Sequence, residues 1–145
     1  MNNSALNRFV DAQKETYPVA LSEIRLGQKE SHWMWFIFPQ IKGLGRTDIA
    51  KFYSIEDIAE ATAYLSHPVL GRNLIEISEA LLTINNKTAR EIFGKPDDRK
   101  LQSCMTLFSK VQGTDPVFKK VLGKYFEGQE DTNTVEILGN NYSSS

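Results

Sequence analysis

Ser31-His32-Trp33-Met34-Trp35-Phe36-Ile37-Phe38-Pro39-Gln40 is the stretch whose reading decides the fold. It holds both tryptophans, two of the eight phenylalanines and one of the two histidines, with Lys29, Glu30, Lys42 and Arg46 on its flanks. It alternates poorly and has no polar face, so periodicity alone allows either a buried strand or a buried helix. Pro39, Gly43 and Gly45 end it in a loop. A buried helical turn is the expected form, because the rest of the chain supplies no strand partners. Short alternating runs bounded by hairpin turns are absent.

Upstream, Leu6, Phe9, Val10 and Gln13 recur at helical spacing and predict a short helix over Ala5–Lys14, capped by Asn3 or Ser4. Tyr17-Pro18 is expected to break it. Pro18 then sits in the first turn of a second helix through Leu21, Ile24 and Arg25, with Gly27 as its left-handed cap. Downstream, Thr47-Asp48 opens a short helix carrying Ile49, Phe52 and Tyr53. Ser54-Ile55-Glu56-Asp57 starts another, whose acidic residues suit the positive end of the helix dipole and which stops before His67-Pro68. Leu70, Leu74, Ile77, Leu81 and Leu82 form an apolar stripe on the next. Thr88–Phe93 gives one or two turns, and Asp97-Asp98 begins a helix with Leu101, Met105, Leu107 and Phe108 inward. Gly113-Thr114-Asp115-Pro116 separates it from a helix carrying Val117, Phe118, Val121, Leu122, Tyr125 and Phe126. Asp131–Leu138 adds a last short helix before a frayed tail at 140–145. No repeat or linker divides the chain. It reads as one all-α domain over 1–145, a compact multihelical fold of short and medium helices with its ordered core at 5–138.

The totals agree with that class. A chain of 145 residues is about one domain, and at this size folding buries roughly 68–70% of the unfolded surface. Hydrophobic residues make up 41%, and the formal net charge of -1 gives no global basic field for nucleic acid or an anionic membrane. Nucleic-acid binding therefore has the least support. Cys104 is the only cysteine, which rules out an intrachain disulfide and fits a reducing compartment. Met1-Asn2-Asn3-Ser4 lacks the basic and apolar regions of a signal peptide. The apolar run Trp33–Phe38 falls far short of the ~20 residues of a membrane span. A cytoplasmic protein is expected.

The aromatic stretch has two readings. Its large side chains are what a packed core uses. Its indole N–H groups, the His32 imidazole and the Gln40 amide are also the few polar groups found in the wall of a ligand pocket. Gly43-Leu44-Gly45-Arg46-Thr47 resembles a phosphate loop, two glycines before a helix start with Arg46 as a bidentate anion contact. No Walker lysine–serine pair follows, and a glycine-permitted turn into a capped helix accounts for the same residues. His32 is the better acid–base candidate, whereas His67 precedes a helix-starting proline and suits a cap. Two histidines without a supporting carboxylate pattern predict no metal, and no cofactor is expected. Cys104 lies two turns into an apolar helix, the setting of an inert thiol.

Several of these motifs also occur together elsewhere. Ser31–Gln40, then Gly43-Leu44-Gly45, Ala63-Tyr64-Leu65 with His67-Pro68 and Leu70-Gly71, Ile92-Phe93-Gly94, and Ser103-Cys104-Met105-Thr106-Leu107-Phe108 resemble, in that order, the domain of unknown function 1810 family. The resemblance runs from about Arg8 to Thr134. It implies a compact, multihelical all-α domain and carries no catalytic assignment. Some members bear the label calpastatin. That inhibitor is largely disordered with repeated short segments, whereas this chain is aromatic-rich, unrepeated and patterned to fold, so the label does not transfer.

Two functions follow as expectations. The first is binding of a small molecule or nucleotide derivative between the aromatic stretch, the glycine loop and the Ser103–Thr106 face. Its contacts would be His32, Trp33, Trp35, Gln40, Gly43, Gly45, Arg46, Ser103 and Thr106. The alternative is a non-catalytic protein-interaction module in which those residues are structural core.

Overall fold

The structure is a computed structural model that describes residues 3–143, with side chains over 5–139. A 3-10 turn, Asn3–Leu6, leads into α1 (Asn7–Arg25), α2 (Met34–Ile37), α3 (Asp48–Phe52), α4 (Ile58–Ser66) and α5 (Leu70–Leu82). These are followed by α6 (Ala89–Phe93), α7 (Asp97–Ser109), α8 (Val117–Phe126) and α9 (Thr132–Ser143). The fold is all-α. The described residues contain no strand, only a single parallel bridge between Ile41 and Ile55. The helix of the last element continues to Ser143, while Ser144 and Ser145 of the expected tail lie outside the described residues.

The aromatic stretch becomes α2 and its flanks. Met34, Phe36 and Ile37 are buried in the turn, and Trp33 and Phe38 beside it have no exposed surface. Trp33, Phe38 and Phe93 form one ring cluster, with Phe38 and Phe93 centroids 5.7 Å apart at a near-perpendicular angle. A second series runs from Phe118 through Phe108 and Tyr64 to Phe9 and Tyr53, then Phe36. Edge-on and tilted arrangements of this kind add to what burial contributes. Around them α5 packs on α1, α4 and α8, and α7 packs on α4, α6, α8 and α9.

Two expectations for the first helix are corrected. Asn3 and Ser4 lie in the 3-10 turn and do not cap α1, whose N-cap is Leu6. Tyr17-Pro18 does not break the first helix; α1 runs unbroken for 19 residues with Pro18 inside it. A helical proline forfeits the bond to the carbonyl four residues back. Here Pro18 and Lys14 are both exposed, so water can serve that carbonyl, while Tyr17 and Ala20 stay buried. Inward packing outweighs the lost bond. The helix ends at Gly27, whose φ of +78° supplies the left-handed turn and whose carbonyl accepts from Lys87 Nζ at 2.9 Å.

Gln13 joins four helices. Its amide nitrogen donates to the Phe36 carbonyl (2.8 Å) and to Tyr64 Oη (2.9 Å), and its oxygen accepts from Asn73 Nδ2 (3.0 Å). His67 caps α5, its Nδ1 accepting from the Val69 and Leu70 amides at 3.1 and 3.2 Å. Gly71 opens the close α4–α5 elbow, where a Cβ would stand 2.0 Å from the Leu65 carbonyl oxygen.

Candidate functional site at the rim of the aromatic stretch

The C-terminal half of α1 places a buried carboxylate, Glu23, beneath the segment that leads into α2. Oε1 accepts from the Glu30 amide (2.8 Å), the Ser31 amide (3.0 Å) and Trp33 Nε1 (2.9 Å), and Oε2 accepts from Ser31 Oγ (2.5 Å). Burial by itself raises such a carboxyl. The donations from Ser31, Glu30 and Trp33 outweigh it and hold Glu23 down to about 2, from an ordinary 4.5. The Trp33 N–H is thereby closed off inside the protein.

A lysine completes this frame. The Lys29 amide donates to the Ile92 carbonyl at 2.7 Å, which ties the segment to α6. Lys29 Nζ donates to the Ser31 carbonyl (2.6 Å), pairs with Asp97 Oδ2 (3.0 Å) and stands 5.0 Å from the Trp33 ring centroid. Asp97 Oδ1 also reaches Lys100 Nζ at 3.4 Å. One carboxylate thus serves two ammonium groups. Of these, Lys29 is 7% exposed and Lys100 27% exposed, so the outer one has charge left to offer. Lys100 Nζ stands 5.6 Å from the centroid of half-buried Trp35, and His32, on the segment leading into α2, is exposed.

The remaining candidates divide between other places. Gln40 is half-buried and joins the Ile41–Ile55 bridge, its carbonyl accepting from the Ile55 amide at 2.8 Å. Gly43 has φ of +109°, and a Cβ there would meet Ile137 Cδ1 of α9 at 3.3 Å. At Gly45 a Cβ would lie 2.4 Å from Ala50 Cβ, so the loop needs glycine to pass the start of α3. Thr47 Oγ1 caps that helix, accepting from the Ala50 amide at 3.2 Å, and Arg46 is exposed. Gly43 is explained by its left-handed backbone and Gly45 by chain packing.

Ser103 and Thr106 meet α9. Ser103 Oγ lies 3.1 Å from Asp131 Oδ2, and Thr106 Oγ1 accepts the Asp131 amide at 2.9 Å. The same Asp131 oxygen accepts from the amide and hydroxyl of buried Thr134. Gly43, Ser103 and Thr106 therefore all abut residues that lead into or form α9, whereas Trp33 meets α1 and Trp35 meets α7. The Cys104 thiol is fully buried, which pushes it well above its ordinary range and leaves it protonated.

Glu23, Lys29, Asp97 and Lys100 build the rim but are not among the residues the sequence singled out for binding. Glu23 carries the one readable signal, a carboxylate beside Ile24 on a helix whose inward side chains are otherwise mostly apolar.

Residues 3–138 match the model of the family described as "Protein of unknown function (DUF1810)". The structure is similar to the crystal structure of the conserved hypothetical protein Rv1873 from Mycobacterium tuberculosis, with 44% identity and a TM-score of 0.91, covering 92% of this chain and 96% of that one. No curated protein matches the chain. With the family match spanning nearly its whole length, the chain belongs to the DUF1810 family of proteins of unknown function.

Proposed function

We propose that this domain binds a small anionic molecule, such as a nucleotide derivative, at the rim of the aromatic stretch. The observation that carries the reading is Lys100 held over half-buried Trp35 by an aspartate that Lys29 already neutralises. An accessible indole with an ammonium group beside it suits a flat ligand bearing negative charge. The Glu23 frame keeps the segment rigid, so little ordering cost attends binding. His32 is a further polar contact at the same edge. The single, buried, unpaired cysteine suits a reducing cytoplasm as the setting, and no described helix is long and apolar enough to cross a membrane. A thermal-shift and tryptophan-fluorescence screen over nucleotides, phosphates and ADP-ribose derivatives tests the proposal. A hit that Lys100→Ala weakens by about 10-fold supports it. Silence across the panel refutes it.

The second reading, a protein-interaction module, is favoured by the closure of Trp33. Its side chain has no exposed surface, and every buried side-chain polar atom among the described residues has a partner. In this reading the contact surface lies elsewhere, for instance at Ile49 and Phe52, exposed by 41% and 58% on α3. A partner whose capture is abolished by Phe52→Ser and unaffected by Lys100→Ala selects it.

A further inference from the structure

The first two turns of α7 face two ways. Asp97 and Lys100 serve the rim, while Asp98, Arg99 and Gln102 line an open cleft of ≈ 430 Å³ bounded by α6 and the end of α8. That volume falls within the range of about 300–1,000 Å³ usual for small-molecule sites. Tyr125 and Phe126, both half-buried, give the cleft an aromatic wall. The Tyr125 hydroxyl is committed to the Leu81 carbonyl at 2.6 Å, which fixes the ring. Gln102 Nε2 donates to the Gln129 carbonyl at 3.0 Å, tying α7 to the segment after α8.

Arg90 and Arg99 are the cations of this cleft, and both are exposed. Asp98 and Glu127 line it too, yet among the described residues neither arginine forms an ion pair. Asp98 Oδ1 instead accepts the Arg99 amide at 2.9 Å, and Glu127 sits in a left-handed turn with φ of +54°. Two uncommitted guanidinium groups thus share a cleft with an aromatic wall. Guanidinium presents a planar fork that matches the oxygens of phosphate or carboxylate, and its flat face also stacks on rings.

We propose that this cleft is a second binding site, for a small molecule carrying a phosphate or carboxylate on a flat apolar body. Arg90 and Arg99 take the oxyanion and Tyr125 and Phe126 take the ring. The site does not depend on the rim reading.

The test is an NMR titration of the full chain with four probes: phenyl phosphate, benzoate, phenol and inorganic phosphate. Phenyl phosphate or benzoate is expected to shift the Thr88, Arg90, Gln102 and Gln129 signals saturably, more tightly than either phenol or inorganic phosphate. The tighter of the two tells phosphate from carboxylate. The double variant Arg90→Ala with Arg99→Ala is expected to weaken binding by about 10-fold or more, and Lys100→Ala to leave it unchanged, which separates this site from the rim. Both arginines are exposed, so an unchanged melting temperature checks that the variant is folded. Phenol binding as tightly as phenyl phosphate, full binding by the double variant, or no saturable shift from any probe overturns the proposal.

Discussion

Replacing Glu23 by glutamine tests the frame under the aromatic stretch. Glutamine keeps the shape and one acceptor oxygen for the Glu30, Ser31 and Trp33 N–H groups, and removes the charge. The folded carboxyl is held to about 2 against an ordinary 4.5, which corresponds to about 3 kcal/mol of stability at neutral pH. The folded value lies below the unfolded one, so this contribution is complete above 4.5 and is lost as pH falls toward 2. Glu23→Gln is therefore expected to lose roughly 2–3 kcal/mol at pH 7. The gap to wild type narrows at pH 3.5. Glu23→Ala strands the buried Trp33 N–H as well and loses more, about 3–5 kcal/mol. Urea unfolding followed by tryptophan emission at both pH values measures all three proteins. A gap between wild type and Glu23→Gln that is equal at pH 7 and pH 3.5 refutes the reasoning. So does an alanine variant as stable as the glutamine one.

Four further outcomes follow from the packing. Gly71→Ala drives a Cβ to 2.0 Å from the Leu65 carbonyl oxygen and is expected to lose about 3 kcal/mol or more, seen as a sharp fall in melting temperature. Gly45→Ala collides with Ala50 Cβ, so pairing it with Ala50→Gly should recover most of the loss if packing, not an anion, requires that glycine. Iodoacetamide should leave Cys104 unmodified in the native protein and react once urea unfolds it; native labelling at the rate of a free thiol contradicts its burial. Asp131→Ala removes the acceptor shared by Ser103 and Thr134, and hydrogen exchange should quicken in α9 while α1 and α5 stay protected.

The helical character, most helix boundaries and the burial of Trp33, Met34, Phe36, Ile37 and Phe38 were legible because spacing, caps and prolines report local preferences. Thr47, Asp57 and Thr88 cap helices, and Gly27 ends one, where local chemistry puts them. Pro18 misleads for the complementary reason. Whether a proline breaks a helix depends on which side faces water, and that is decided by α5 and α2 packing on α1. The site was less legible. Trp33 and Trp35 do meet one frame, but its charged members come from α1, the segment after it and α7, far apart in the chain. Gly43, Ser103 and Thr106 look like ligand contacts because small residues and hydroxyls also suit close approach between helices. Here they receive α9.

Gln13 bears on how the chain assembles over time. Its three amide partners lie 23, 51 and 60 residues away in sequence. Until α2, α4 and α5 have all reached α1, that amide is better served by water than by any partial structure. Dehydrating it is thus a late step, taken once, and it joins the docking of four helices into a single event. A side chain that contributes little apolar surface thereby discourages half-assembled forms of the domain.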